Sequence, residues 1–282
     1  MRIRLTAALA VTAVALGIAA CAPEDGSAAP GSTTAGQSAL ATVTEGKLTV
    51  ATSEPAYEPW VLDDDPTTGE GFEAAVAYAV AEQLGFARDD VVWVRGTFEQ
   101  FIAPGAKDYD FAINQISITD ERSEAVDFSS SYYDTTQAVV TVAGSKAEGV
   151  TSVAELKDLK IGAMVGTTSL TLAEEIIDPS QDIAVYNDNE GVKAALDGGL
   201  IDAFVADLPT ALYIASVELD GGVLVGQLPD SAGGDRFGLV LDKGSALTPA
   251  VTEAVDALRE DGTLAALESQ WLTDAAGAPV LK

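Results

Sequence analysis

Short runs rich in β-branched and apolar residues recur along this chain with helical patterns between them: LTVAT (48–52), VVWV (91–94), FAIN (111–114), AVVTV (138–142), IGAMV (161–165), IDAFVA (201–206) and FGLVL (237–241). Strands separated by helices cannot pair through tight hairpins; crossover connections lay them side by side, so the alternation predicts an α/β architecture with largely parallel sheets. Phe72, Val76, Val80 and Leu84 repeat every four residues and Gly85 follows, which predicts an amphipathic helix with a glycine stop. Thr97 with Gln100, and Ser152 with Glu155, have the spacing of capping boxes and mark two further helix starts. Leu247, Val251, Val255 and Leu258, then GTLAALESQWL, predict two last helices broken at Asp261-Gly262.

The amino-terminal twenty residues place Arg2 and Arg4 ahead of an uncharged apolar run that ends in small residues. That is the pattern of a secretory signal peptide, too short for a permanent span. Cys21 follows immediately and is the only cysteine, so an exported chain offers it no disulfide partner. It is either a thiol left beside a simple cleavage site or a lipidation site. Ile18-Ala19-Ala20-Cys21 resembles a bacterial lipobox, which implies acylation of Cys21 and a lipid anchor on the extracytoplasmic face of the cell membrane. Residues 21–45, rich in Ala, Gly, Ser, Thr and Pro, lack the apolar surface to fold and read as a flexible tether of roughly 25–30 Å reach.

The chain carries 44 acidic and 15 basic residues; without Arg2 and Arg4, the formal charge is −31. Nucleic acid and anionic lipid surfaces are thereby poor partners. With no histidine and no thiol beyond Cys21, His- or Cys-based zinc sites, Ser-His-Asp triads and cysteine nucleophiles are excluded from the mature chain. No metal or cofactor is implied. Against this acidity stands Arg122, in QISITDERSEAVDFSSSYY (115–133), flanked by Asp120, Glu121 and Glu124. Composition alone reads it as an exposed arginine paired with Glu121 or Asp120.

Four stretches, KLTVATSEPAYEPW, GEGFEAAVAYAVAEQLGF, DYDFAINQISITDERSEAVDFSSSYY and FGLVLDKGSAL with LREDGTLAALESQWL, together resemble the polar amino-acid-binding proteins of bacterial ABC importers. The resemblance implies a two-lobed periplasmic-binding-protein fold of type II, with a ligand cleft between lobes joined by two hinge strands. It places lobe 1 at 46–133 and 237–282 and lobe 2 at 134–236, with crossings near Tyr133 to Thr136 and Arg236 to Gly238. By the same resemblance Arg122 binds the ligand's α-carboxylate, for which a guanidinium is a matched planar fork. Ser117 contacts carboxylate and ammonium, the backbone carbonyl of Gln115 accepts from the ammonium, Thr168 meets the carboxylate and Asp207 pairs with the ammonium. Read locally, Ser117 is a structural strand-end serine, Thr168 a helix cap, and Asp207, before Leu208-Pro209, also a cap.

Tyr57, Trp60 and Phe98 match or adjoin the family's aromatic side-chain sandwich, Phe98 the best of them, although aromatics at strand and helix ends are more often core. Met164 stands where binders of basic amino acids carry an apolar residue, and Glu54 matches the acid that receives a basic side chain. The implied function is capture of a free polar amino acid, basic ones included, by a monomeric lipoprotein that delivers it to an ABC permease, without chemistry of its own. A sensory lipoprotein, and a dehydratase on the same fold with Glu54 as its acid/base group, are the alternatives.

Overall fold

A computed structural model describes residues 40–229, 234–272 and 278–282. The predicted signal peptide, Cys21 and most of the predicted tether lie outside the described residues. Residues 40–45 do not behave as tether: Leu40 packs on the first core, and the Val43 N–H donates to Asp110 Oδ1 at 2.8 Å. Asp110 Oδ2 accepts from the Thr49 N–H at 2.6 Å, so one buried carboxylate pins this lead-in to the first strand.

The first half of the fold runs β1 (Leu48–Ser53), α1 (Phe72–Gln83), β2 (Val91–Gly96), α2 (Phe98–Ile102), β3 (Phe111–Ala112), α3 (Asp120–Ala125) and β4 (Val126–Thr135). After Thr136 the chain continues as β5 (Gln137–Val142), α4 (Val153–Leu156), β6 (Ile161–Met164), α5 (Thr168–Leu172), β7 (Ala184–Tyr186), α6 (Asn189–Asp197), β8 (Ala203–Asp207), α7 (Leu208–Tyr213) and β9 (Gly222–Gln227). It ends with β10 (Asp235–Asp242), α8 (Thr248–Glu260) and α9 (Thr263–Trp271). These strands make two five-stranded sheets, ordered β2-β1-β3-β10-β4 and β7-β6-β8-β5-β9.

Both sheets are mixed rather than largely parallel. β1 pairs in parallel with β2 and β3, and β6 with β7 and β8. β10 runs antiparallel to β3 and β4, and β5 to β8 and β9. The antiparallel members are the segments that carry the chain between sheets, so their direction is set by crossing and not by local βα units. β4 hands over to β5 at Thr136, and β10 begins with Asp235 paired to Thr135.

Each sheet has its own core. Leu48, Val50, Phe72, Val76, Phe111 and Leu239 centre the first, which α8 and α9 cover. Val139, Leu156, Ile161 and Val205 pack one face of the second sheet, and Val140, Leu196 and Phe204 pack the other. Two placements differ from expectation. α1 is buried over most of its surface, Glu73 included, because α8 and α9 pack against it. Residues 278–282 belong with the second sheet and not with lobe 1: Val280 bridges Gln227, and Leu281 is buried beside Val139 and Leu156.

Candidate functional site

Arg122 is aimed by its own helix start. Thr119 caps α3, its Oγ1 accepting from the Arg122 N–H at 3.1 Å, and the guanidinium folds back so that Nη1 donates to the Ser117 carbonyl at 2.8 Å. Nη2 reaches the other lobe and donates to the Gly166 carbonyl at 2.9 Å. The Phe98 ring lies under the same group, 5.3 Å from centroid to Cζ. Burial pulls the Arg122 pKa down, while Asp235 and Asp207 oppose that shift. Arg122 is thus a desolvated cation bridging two lobes, not the surface ion pair that composition favours.

The other predicted residues converge on it. Arg122, Ser117, Gln115, Glu54, Tyr57 and Phe98 from one lobe, and Thr168, Asp207 and Met164 from the other, line one cleft of about 440 Å³. The Ser117 and Thr168 hydroxyls approach to 3.3 Å across it. The helix cap before α5 is Thr167, whose Oγ1 accepts from the Leu170 N–H at 3.2 Å. Thr168 is therefore spared capping, and its hydroxyl donates to Asp235 Oδ2 at 2.8 Å. Asp207 occupies the cap position of α7 without a side-chain cap bond. Its Oδ1 instead accepts from Gln137 Nε2 at 2.6 Å.

The same Gln137 Nε2 donates to Asp235 Oδ2 at 2.6 Å, so one buried amide at the start of β5 holds two carboxylates. Its Oε1 accepts from the Ser169 hydroxyl at 2.6 Å, which fixes the orientation of the amide. Burial, with Asp235 nearby, pushes the Asp207 pKa up to about 7; the Gln137 bond and Arg122 act against it. Asp207 therefore titrates near neutrality, and a cation placed beside it would favour its ionised form.

One expectation needs correction, and one placement adds to the reading. Trp60 is not in the cleft: it is fully buried among Phe72, Tyr133 and Phe237, and its Nε1–H donates to Thr210 Oγ1 at 2.9 Å. Gln115 lines the cleft, but its side-chain amide turns inward to Glu73 and does not fill the pocket.

Sequence reasoning missed Asn114, Glu99, Asn187, Asp188 and Asn189, which line the cleft, together with Gln137 and Asp235 at the crossing strands. Asp188 has a local signal, since it caps α6 by accepting from the Gly191 N–H at 2.7 Å, but nothing local places it at the cleft. Burial, with Asp188 next in weight, raises the Tyr57 phenol to about 12. Glu54, Glu99, Asp188 and Asp207 line the cleft with Arg122, an acidic excess. A larger groove of about 680 Å³ opens on the other side of Arg122, but Ile102, Leu170, Leu172, Ile176 and Leu228 give it an apolar wall, and neither Ser117 nor Asp207 lines it.

Two α/β lobes, linked by crossing strands and lined at their junction by charges of both signs, define a two-lobed binding protein of the type II periplasmic kind. The profile of bacterial extracellular solute-binding proteins, family 3, matches residues 48–274, and the chain belongs to that family. It is 29% identical over 235 residues to the L-arginine-binding protein of Pseudomonas aeruginosa, covering 78% of this chain and 86% of that one. Among solved structures it resembles an ancestral arginine-binding protein bound to glutamine, with TM-score 0.68, 27% identity, and coverage of 81% and 98%. It also resembles the ancestral amino acid-binding protein AncCDT-1, a precursor of cyclohexadienyl dehydratase, with TM-score 0.67, 28% identity, and coverage of 81% and 96%.

Proposed function

We propose that this protein captures a free amino acid with a polar, preferentially cationic, side chain by closing its lobes, and delivers it to an ABC permease. The observation that carries the reading is the pairing of Arg122 on one lobe with Asp207 on the other across a single small cleft. Their opposite charges match the carboxylate and ammonium of one zwitterion, and only approach of the lobes brings both to it. Acids at Glu54, Glu99 and Asp188 supply the potential that favours a cationic side chain beyond Phe98 and Tyr57. Cys21 anchors the chain to the extracytoplasmic membrane face, and the closed pair of lobes is the surface offered to the permease.

The test is calorimetric titration with each common amino acid, after purification through unfolding to remove endogenous ligand. Tight binding of L-arginine, L-lysine or another cationic amino acid supports the reading. Binding restricted to acidic amino acids refutes the cationic preference, and binding of none refutes the function. Turnover of prephenate or arogenate by the same preparation would instead establish the dehydratase alternative.

A further inference from the structure

α1 carries a carboxylate with no cation beside it among the described residues. Glu73 has no solvent exposure, yet both of its oxygens accept hydrogen bonds. Oε1 takes the Gln115 backbone N–H at 2.6 Å and the Tyr132 hydroxyl; Oε2 takes the Gln115 side-chain amide at 2.9 Å. Gln115 is therefore held twice, by main chain and by side chain, from one acid.

That grip coincides with a conformational demand. Gln115 lies at φ +48°, in the left-handed region that a side-chain-bearing residue avoids, and it lines the cleft. The bond to its N–H is one interaction that offsets the cost. Tyr132 is the second tie: it belongs to β4, the strand that runs into the crossing at Thr136, so Glu73 joins the cleft wall to a hinge strand. The Glu73 charge also acts on Asp207, adding to the upward push on its carboxyl.

We propose that Glu73 is a positioning residue for ligand recognition: it holds the left-handed Gln115 so that the cleft wall accepts the α-ammonium, and it supplies negative potential beneath that site. The proposal rests on the amino-acid reading above and assigns a role to a residue outside the cleft surface. A bare carboxylate in an apolar core is costly, whereas hydrogen bonding to ligand-site atoms gives its retention a purpose.

The test compares L-arginine, L-lysine, L-histidine and L-glutamine, each with its own analogue lacking the α-amino group, on the full chain and on Glu73→Gln. The substitution keeps size and a carbonyl acceptor while removing charge. Affinity for the amino acids should fall on the order of ten-fold, the worth of one charge-assisted hydrogen bond, while affinity for the deamino analogues changes little. A purely structural role would weaken both ligands of a pair equally and overturn the proposal, as would unaltered affinity for both.

Gln115→Gly provides a second reading, because glycine adopts the left-handed backbone unaided. In its presence the further cost of Glu73→Gln should shrink; an undiminished cost overturns the positioning role. Should the unaltered protein bind no common amino acid, the amino-acid function itself fails and this inference with it, an outcome distinct from binding that Glu73→Gln leaves untouched.

Discussion

The proposed function predicts that Asp207 couples binding to pH. Burial, with Asp235 next, pushes the Asp207 carboxyl up to about 7. Contact with an ammonium favours the ionised form, so each binding event below that pH must release a proton. The ionised fraction is about one half at pH 7, one tenth at pH 6 and one hundredth at pH 5, so affinity should drop about 100-fold between pH 8 and pH 5. No histidine titrates in this window, because the chain contains none. Calorimetry at pH 6 in buffers of different ionisation enthalpy should register close to one proton released, and almost none at pH 8.

Burial also raises the carboxyl of Glu73, so Asp207→Asn is the control that assigns the proton. Folding stability carries the matching sign. A carboxyl raised on folding contributes stability that is complete below the ordinary aspartate range and lost as pH climbs through about 7. Asp207→Asn should therefore unfold at higher denaturant than the unaltered protein at pH 8, by as much as about 4 kcal/mol, and show no such advantage at pH 4. Affinity constant from pH 5 to 8, or proton release that persists in Asp207→Asn, would refute the reasoning.

Arg122→Ala should cost roughly 2–5 kcal/mol of amino-acid binding without unfolding the protein, as measured by calorimetry and circular dichroism, because it removes one side of a desolvated charge pair. Asp188→Asn keeps the α6 cap, since asparagine caps as well as aspartate, and should weaken L-arginine about ten-fold more than L-glutamine in paired titrations; Glu54→Gln should act in the same direction. Gly71→Ala should destabilise the fold by about 1–3 kcal/mol in urea, because Gly71 sits at φ +100° with the Trp60 carbonyl oxygen 2.5 Å from where a Cβ would lie. Cys21→Ser should move the protein from membranes to the soluble extracytoplasmic fraction and abolish palmitate labelling.

The parts of the fold that were legible rest on local physics. Thr97 with Gln100 and Ser152 with Glu155 form capping boxes, and Gly85, at φ +87°, follows the end of α1. β4 was not legible, since VDFSSSYYDT offers little apolar alternation. Its order comes from antiparallel pairing with β10 about a hundred residues later, where the Leu239 N–H donates to the buried Ser129 hydroxyl at 2.9 Å. Nor was α1 readable as buried over most of its surface: a 3.6-residue pattern does not forecast that α8 and α9 will pack on it, or that Glu73 will be buried against Gln115 and Tyr132.

At the site, Arg122 and Asp207 stood out through the family resemblance, since local sequence alone reads them as an exposed ion pair and a helix cap. Asp188, Gln137 and Asp235 did not, because a helix cap and two crossing-strand residues acquire meaning only when the lobes face each other. Gln115 was read for its backbone, and the inward turn of its amide depends on an acid forty-two positions away.

The most direct test is a crystal structure of the protein, stripped of endogenous ligand and then loaded with the amino acid that calorimetry ranks tightest. The α-carboxylate should lie within hydrogen-bonding distance of the Arg122 guanidinium and the α-ammonium within reach of Asp207, with Ser117 and Thr168 closing on the same molecule from opposite lobes. A ligand held wholly by one lobe, or one whose carboxylate avoids Arg122, would contradict the account.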